Sequence, residues 1–386
     1  MTPRVATGWI LSPAGDLGIF AGPLLLAGAI VLAFAQADAL DAPVPLAAYG
    51  VLILGCDVAH VYATLYRTYL DPVERLRRRA RYAMVPLLCL VVGAALHAMD
   101  PRWFWRVLAY LAVFHFVRQQ WGWMAYSARK AGETSRTDRA LDQAAIYAAT
   151  VYPLVHWHAH LPRAFVWFVD GDFVAGLPAG LPAGIDPAAR AVHFAILAAW
   201  VARQAVLLAT GRPVNLAKAL ILATTWIAWY GGIVVLESDL AFTATNVLTH
   251  GVPYLAVVHR WGSSRWRGAS TPVARLFRPG LAVLGFYAIL LALAFVEEGA
   301  WDALYLDQAH RHSGLFPFPS VSMDEAFVAV VAGALAVPQA THYVLDAFLW
   351  RSGRENPGLA QHLGFSPPAP PAPLDPANGD LAPSRP

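Results

Sequence analysis

From residue 17 to residue 350 the chain keeps returning to apolar runs of a length that fits one kind of structure. About 20 consecutive apolar residues span the hydrocarbon of a bilayer as a helix, whereas a barrel strand needs only about 9–11. In lipid each backbone N–H and C=O must be paired within the protein, and a helix does this within a single segment. The runs fall at 17–36, 44–66, 82–99, 103–126, 141–160, 188–209, 214–236, 240–259, 279–297 and 326–350. They predict an all-α fold, a polytopic membrane helical bundle of about ten transmembrane helices. Composition agrees: 14% of residues are charged, against about 25% in soluble domains.

Charge gives the predicted orientation. With ten spans, both termini lie on one side, and that side collects Arg4, the arginines of 67–81, the basic residues of 127–140, Arg203, Arg212, the arginines of 260–278 and those of the tail. The other side receives only Arg102, Arg106, Arg163, Arg190 and Arg311. Basic residues gather on the cytoplasmic face, so both termini are expected in the cytoplasm, with a bacterial inner membrane as the location. The segment ERLRRRARY (74–82) suits anionic lipid headgroups, and RWFWR (102–106) and WGW (121–123) suit the aromatic belt. Orientation accounts for the basic clusters, and no nucleic-acid partner is expected.

Residues 1–351 read as a single transmembrane domain, and the first run as a retained span because no cleavable leader precedes it. Residues 352–386, rich in Pro and Ala, read as a disordered cytoplasmic tail. Two outer connections are long: 161–187, with the near-repeat GLPAGLPAG (176–184), and 298–325, with HRHSGLFPFP (310–319). Cys56 and Cys89 sit in separate apolar runs and form neither a disulfide framework nor a metal motif.

Ionisable groups inside a bilayer are costly and mark function. Here they recur one helical turn apart: Asp57 and His60, Asn246 and His250, His342 and Asp346, with His115, Arg118, Gln119 and Gln120 in HFVRQQWGW. At the helical rise, Asp57, His60, His250 and His342 lie roughly 10–15 Å from the cytoplasmic edge, and His115 about 20 Å, within reach if its helix tilts. His156, His158 and His160 end the fifth run, about 25 Å deep, where Pro153 is expected to break the helix and lower the segment. The expected metal ligands are therefore Asp57, His60, His115, His250, His342 and Asp346, joined by His156 and His160. Arg118, Gln119, Asn246 and His259 are expected around them or along a substrate route, with Arg118 paired to Asp57 or Asp346.

Imidazoles with a few carboxylates, and no clustered Cys or Met, suit iron, zinc or manganese. In site composition and sidedness the chain resembles the integral-membrane non-haem iron oxygenases, which include fatty-acid hydroxylases and desaturases. HWHAH (156–160) is its nearest approach to their HxxxH and HxxHH clusters. The resemblance implies one or two irons, oxygen activation against a lipidic substrate, and an external electron donor. The HxxxD of His342 and Asp346 and the HxxxH of His156 and His160 are also similar to parts of a ceramidase-like zinc hydrolase site. Haem held by His115 and His250, and a proton-coupled transporter using Asp57, His60 and Asp346, are the remaining readings.

Overall fold

The computed structural model describes residues 8–42, 44–174, 184–306, 312, 314–351, 353, 355–356 and 358–364. The GLPAGLPAG repeat up to residue 183, the segment 307–311 and the tail from 365 lie outside the described residues.

Long helices follow one another along the chain: α1 (Pro13–Gln36), α2 (Leu46–Arg67), α3 (Arg79–Met99), α4 (Pro101–Lys130), α5 (Arg136–Ala159), α6 (Ile185–Ala209), α7 (Leu216–Val235), α8 (Asp239–Arg265), α9 (Ala282–Leu304) and α10 (Glu325–Leu349). Seven of them, all but α4, α5 and α8, are long and apolar enough to cross a membrane. The protein is thus an all-α integral membrane protein. The other three coincide with predicted runs but are too rich in polar groups to qualify on length and apolarity, because their polar faces point into the molecule.

Starts and stops follow local chemistry. Asp100 accepts from the Arg102 N–H and Pro101 opens α4, a proline at the first turn where its missing N–H costs nothing. Ser135, Asn215, Ser238 and Asp324 cap α5, α7, α8 and α10 through their side-chain oxygens. Residues Gly50–Val58 of α2 widen into π-helix just before His60, a distortion that turns the following side chains relative to a regular helix.

The apolar stretches of α3 and α6 are only 11% buried, whereas those of α2 and α7 are 50% buried. The first pair therefore forms part of a lipid-facing rim and the second pair part of the interior. Helix α8 is central: residues Leu240–Gly251 are buried without interruption, and α8 packs against α1, α2 and α7. Its threonines are satisfied within the helix, Thr245 donating to the Ala241 carbonyl at 2.8 Å and Thr249 to the Thr245 carbonyl at 2.7 Å. Lys218, an ammonium within α7, is held at 2.6 Å by both Glu133 and Asp142, so its charge is compensated.

Small residues let helices close on one another, as is usual in membranes. A Cβ on Gly333 of α10 would stand 2.6 Å from the Ala94 nitrogen and 2.9 Å from the Leu90 carbonyl oxygen of α3. These are backbone atoms, which cannot rotate away. Gly333→Val is expected to destabilise the protein by about 1–3 kcal/mol. Gly28→Val, at a position with open space, should not; thermal unfolding in detergent checks both.

Packed structure also continues past the predicted tail boundary. Asn356, Leu359 and Leu363 are buried, and Asn356 donates to the Phe348 and Arg351 carbonyls. A proline-rich composition hid two leucines one turn apart that cover the end of α8.

Candidate metal centre

Four buried histidines from four helices converge: His60 of α2, His115 of α4, His250 of α8 and His342 of α10, with ligand atoms all within 4.8 Å of one another. His250 Nε2 lies 3.0 Å from His60 Nε2, and His342 Nε2 lies 3.2 Å from His115 Nε2. Around a metal with nitrogens at 2.0–2.1 Å, the edge of a tetrahedron is about 3.3 Å. The two pairs stand close to that separation.

The Nδ1 side explains why the Nε2 atoms are left facing one another. His60 Nδ1 faces the Cys56 carbonyl at 3.3 Å. His342 Nδ1 faces Thr64 Oγ1 at 2.6 Å. The Thr64 hydroxyl pairs in turn with the Tyr254 hydroxyl at 2.9 Å, and Tyr254 donates to Asp346 Oδ1 at 2.8 Å. Trp350 Nε1 donates to the same oxygen at 2.9 Å. The other carboxylate oxygen of Asp346 lies 3.9 Å from His115 Nδ1. Asp346 therefore orients His342 through Tyr254 and Thr64, the arrangement in which an outer partner fixes the tautomer and leaves the inner nitrogen basic, while His115 Nδ1 stands beyond hydrogen-bond reach of it. His250 Nδ1 has no hydrogen-bond partner among the described residues; its ring is fixed by stacking on Phe116, centroids 3.5 Å apart and planes within 7°.

Rings whose outer nitrogens carry the proton turn bare nitrogens inward. Bare on His60 and His342, these nitrogens approach His250 Nε2 and His115 Nε2, whose protons a bound cation would displace. The four histidines thus fit a metal ion by donor type, spacing and orientation, and neutral imidazole is the usual form of a histidine ligand.

The other expected ligands are placed differently. Asp57 stands outside the Nε2 cluster, its Oδ1 3.8 Å from His60 Nδ1. Asp346 also sits behind the rings, as an orienter. His156 and His160 do not join the tetrad: α5 runs unbroken through Pro153 to Ala159, and the pair instead meets Asp186. The proline removes one backbone donor without breaking the helix, so nothing lowers the segment.

Arg118 is exposed and donates to the Tyr147 hydroxyl; it pairs with neither Asp57 nor Asp346. Its long stem carries the guanidinium to the wall of the cavity described below. Asn246 donates to the Phe242 carbonyl and packs beside Gly232 of α7, and its buried Oδ1 has no hydrogen-bond partner among the described residues. His259 lies between Phe277 and Phe286, about 13 Å along α8 from His250 at the helical rise. Gln120 accepts from Thr225, and Gln119 has no partner for its buried oxygen and nitrogen among the described residues.

Thr64, Tyr254, Trp350 and Phe116 were not on the list drawn from sequence. Three of them stand four positions after an expected site residue: Thr64 after His60, Tyr254 after His250, Trp350 after Asp346. Extending each polar pair by one more turn would have found them.

A cavity of about 2570 Å³ reaches the tetrad, touching His115, Tyr254, Tyr343 and Asp346. Aromatic side chains, among them Trp121, Trp123, Tyr126 and Trp350, line it, and Arg118, Arg129, Lys130 and Arg139 lie along its walls. Phe114 and Val151 belong to its lining and are exposed on α4 and α5, so it also opens between these two helices.

Tyr254→Phe removes the hydroxyl between Thr64 and Asp346. The variant should fold normally and bind metal about 10–100-fold more weakly, as measured by competition with a chelator.

Comparison with protein-family models, with curated proteins and with solved structures gives no match to this chain.

Proposed function

We propose that this protein is a membrane-embedded metalloenzyme in which one non-haem iron, held by His60, His115, His250 and His342, activates oxygen against a hydrophobic or lipidic substrate. The observation that carries the reading is the convergence of four buried Nε2 atoms beside a large, aromatic-lined cavity that opens on the outer faces of α4 and α5. A substrate arriving through lipid meets that opening first. All ten long helices cross the bilayer in this reading, with both termini cytoplasmic and the tetrad in the inner half of a bacterial inner membrane.

The donor set favours iron over the alternatives. A catalytic zinc keeps three protein ligands and one open position for water; four histidines would close that shell and leave a ceramidase-like hydrolase without its nucleophile. Haem needs a slot for its macrocycle between two axial histidines, and His115 and His250, at 5.0 Å between ring centroids, leave none. A two-iron centre calls for carboxylates between the metals, yet Asp57 and Asp346 face the Nδ1 atoms. His60, His115, His250 and His342 would hold an iron ion, which when bound would supply oxygen activation.

The chain's own residues would bind and orient. Asp346, through Tyr254 and Thr64, holds the His342 ring in place. Phe116 shields His250. The aromatic walls exclude water from an apolar substrate, while Gln119, one turn from His115, offers it a hydrogen bond. Hydroxylation or desaturation would draw two electrons from an external donor; oxidative cleavage that places both oxygen atoms in the products needs none.

Metal analysis and an absorption spectrum of the purified full chain in detergent test this reading, followed by oxygen uptake with long-chain apolar substrates. Iron equimolar with the chain, no Soret band, and substrate-dependent uptake are expected. Zinc as the sole metal, or a Soret band, would overturn it.

A further inference from the structure

A second group of ligand-type side chains stands where α5 ends and α6 begins. His156 and His160 lie one turn apart, ring centroids at 4.0 Å, and Asp186 in the first turn of α6 faces them. His156 Nδ1 bonds Asp186 Oδ1 at 3.0 Å, and His160 Nδ1 bonds the His156 carbonyl at 2.8 Å. His160 Nδ1 carries its proton towards that carbonyl and keeps its lone pair on Nε2, while His156 Nδ1 and Asp186 Oδ1 stand near the separation of two ligands on one metal, which would take the place of the proton between them. The ligand atoms of the three residues lie within 4.8 Å of one another.

The neighbours are engaged elsewhere. His158 bonds the Leu154 carbonyl at 2.7 Å and the Tyr110 hydroxyl at 2.8 Å. Arg163, just past the helix end, is held by Glu237 at 2.6 Å, so its charge is compensated. His160 is exposed while His156 and Asp186 are partly buried, which leaves the group open to solvent ions.

We propose that His156, His160 and Asp186 form a second metal site, separate from the histidine tetrad, for a borderline divalent cation such as zinc. Two imidazoles and a carboxylate are a zinc-type donor set, with a remaining position for water. The ion would join the last turn of α5 to the first turn of α6, and so tie together the ends of the connection that spans residues 161–184. The proposal does not depend on the function assigned to the tetrad.

The test is a titration of the purified full chain, carrying whatever metal it retains, with zinc alone and with cobalt(II) as a coloured substitute. The wild type should take up one further equivalent and unfold at a higher temperature with zinc present, as ligand binding to the folded state requires. His156→Ala/His160→Ala should lose that equivalent and the thermal shift while keeping its original metal content. Asp186→Asn leaves both imidazoles in place but removes the charged ligand, and should bind zinc about 10²–10³-fold more weakly. Unchanged zinc uptake in the double variant, or no uptake by the wild type, would overturn the proposal. Because the tetrad's metal is counted separately, loss of the iron reading would leave this result legible.

Discussion

His250→Ala is expected to empty the tetrad. Four-ligand zinc sites in small proteins are worth roughly 10–16 kcal/mol, which divided among four ligands gives about 3–4 kcal/mol each, or about 10²–10³-fold in affinity. The substitution takes away one of four Nε2 donors and also the ring stacked on Phe116. His259→Ala is the matched control. It removes a histidine from the same helix, but one that faces Phe277 and Phe286, and it should leave metal content unchanged. Bound metal after dialysis against a chelator, measured for both variants, decides the matter. Equal retention in His250→Ala and wild type would mean that the tetrad is not the metal centre.

The second large effect removes no ligand. Gly251 follows His250 at the point where α8 meets α2, and a Cβ there would stand 2.7 Å from Cys56 Sγ and 2.9 Å from the Cys56 carbonyl oxygen. The Cys56 carbonyl is also the group that faces His60 Nδ1. Gly251→Val should push the two helices apart, widen the 3.0 Å approach of His250 to His60, and cost about 1–3 kcal/mol of stability. Metal affinity should fall although all four histidines remain. Shortening Cys56 to alanine should not restore it, because a backbone oxygen is part of the clash. Wild-type affinity in Gly251→Val would show that the helices have slack to absorb the side chain. A metal titration alongside thermal unfolding separates lost geometry from lost fold.

Much of the site was legible beforehand for local reasons. A helix's rise converts sequence position into depth, and its turn places residues three and four apart on one face. His60, His250 and His342 could therefore be put in one layer from the sequence alone, and His115 admitted to it by tilt. The same arithmetic could not separate His342 and Asp346 from His156 and His160, which show the same spacing in equally apolar surroundings. What divides them is the neighbour each meets: α10 packs against α2 and α4, which carry His60 and His115, whereas the end of α5 meets Asp186 of α6.

Ring direction was beyond the sequence for a related reason. Whether a carboxylate near a histidine ligates or orients depends on which nitrogen it faces, and that follows from helix rotation and crossing. Asp57 and Asp346 were expected among the ligands, yet each lies behind its imidazole on the Nδ1 side. In α2 the π-helical stretch Gly50–Val58 contributes to this by turning the residues that follow it. Arg118 teaches the same lesson. A buried guanidinium would need a counter-ion, but its flexible stem lets it leave the interior altogether.

By itself, then, the sequence determined the all-α membrane class, the approximate extents of the long helices, and the common layer of His60, His250 and His342, because each depends on apolarity and helical period within one segment. Only the tertiary structure decided which histidines meet, which carboxylates stand behind them, and where the cavity opens. Those depend on close approach between helices far apart in the chain, set by small residues such as Gly251 and Gly333, and no single segment encodes that approach.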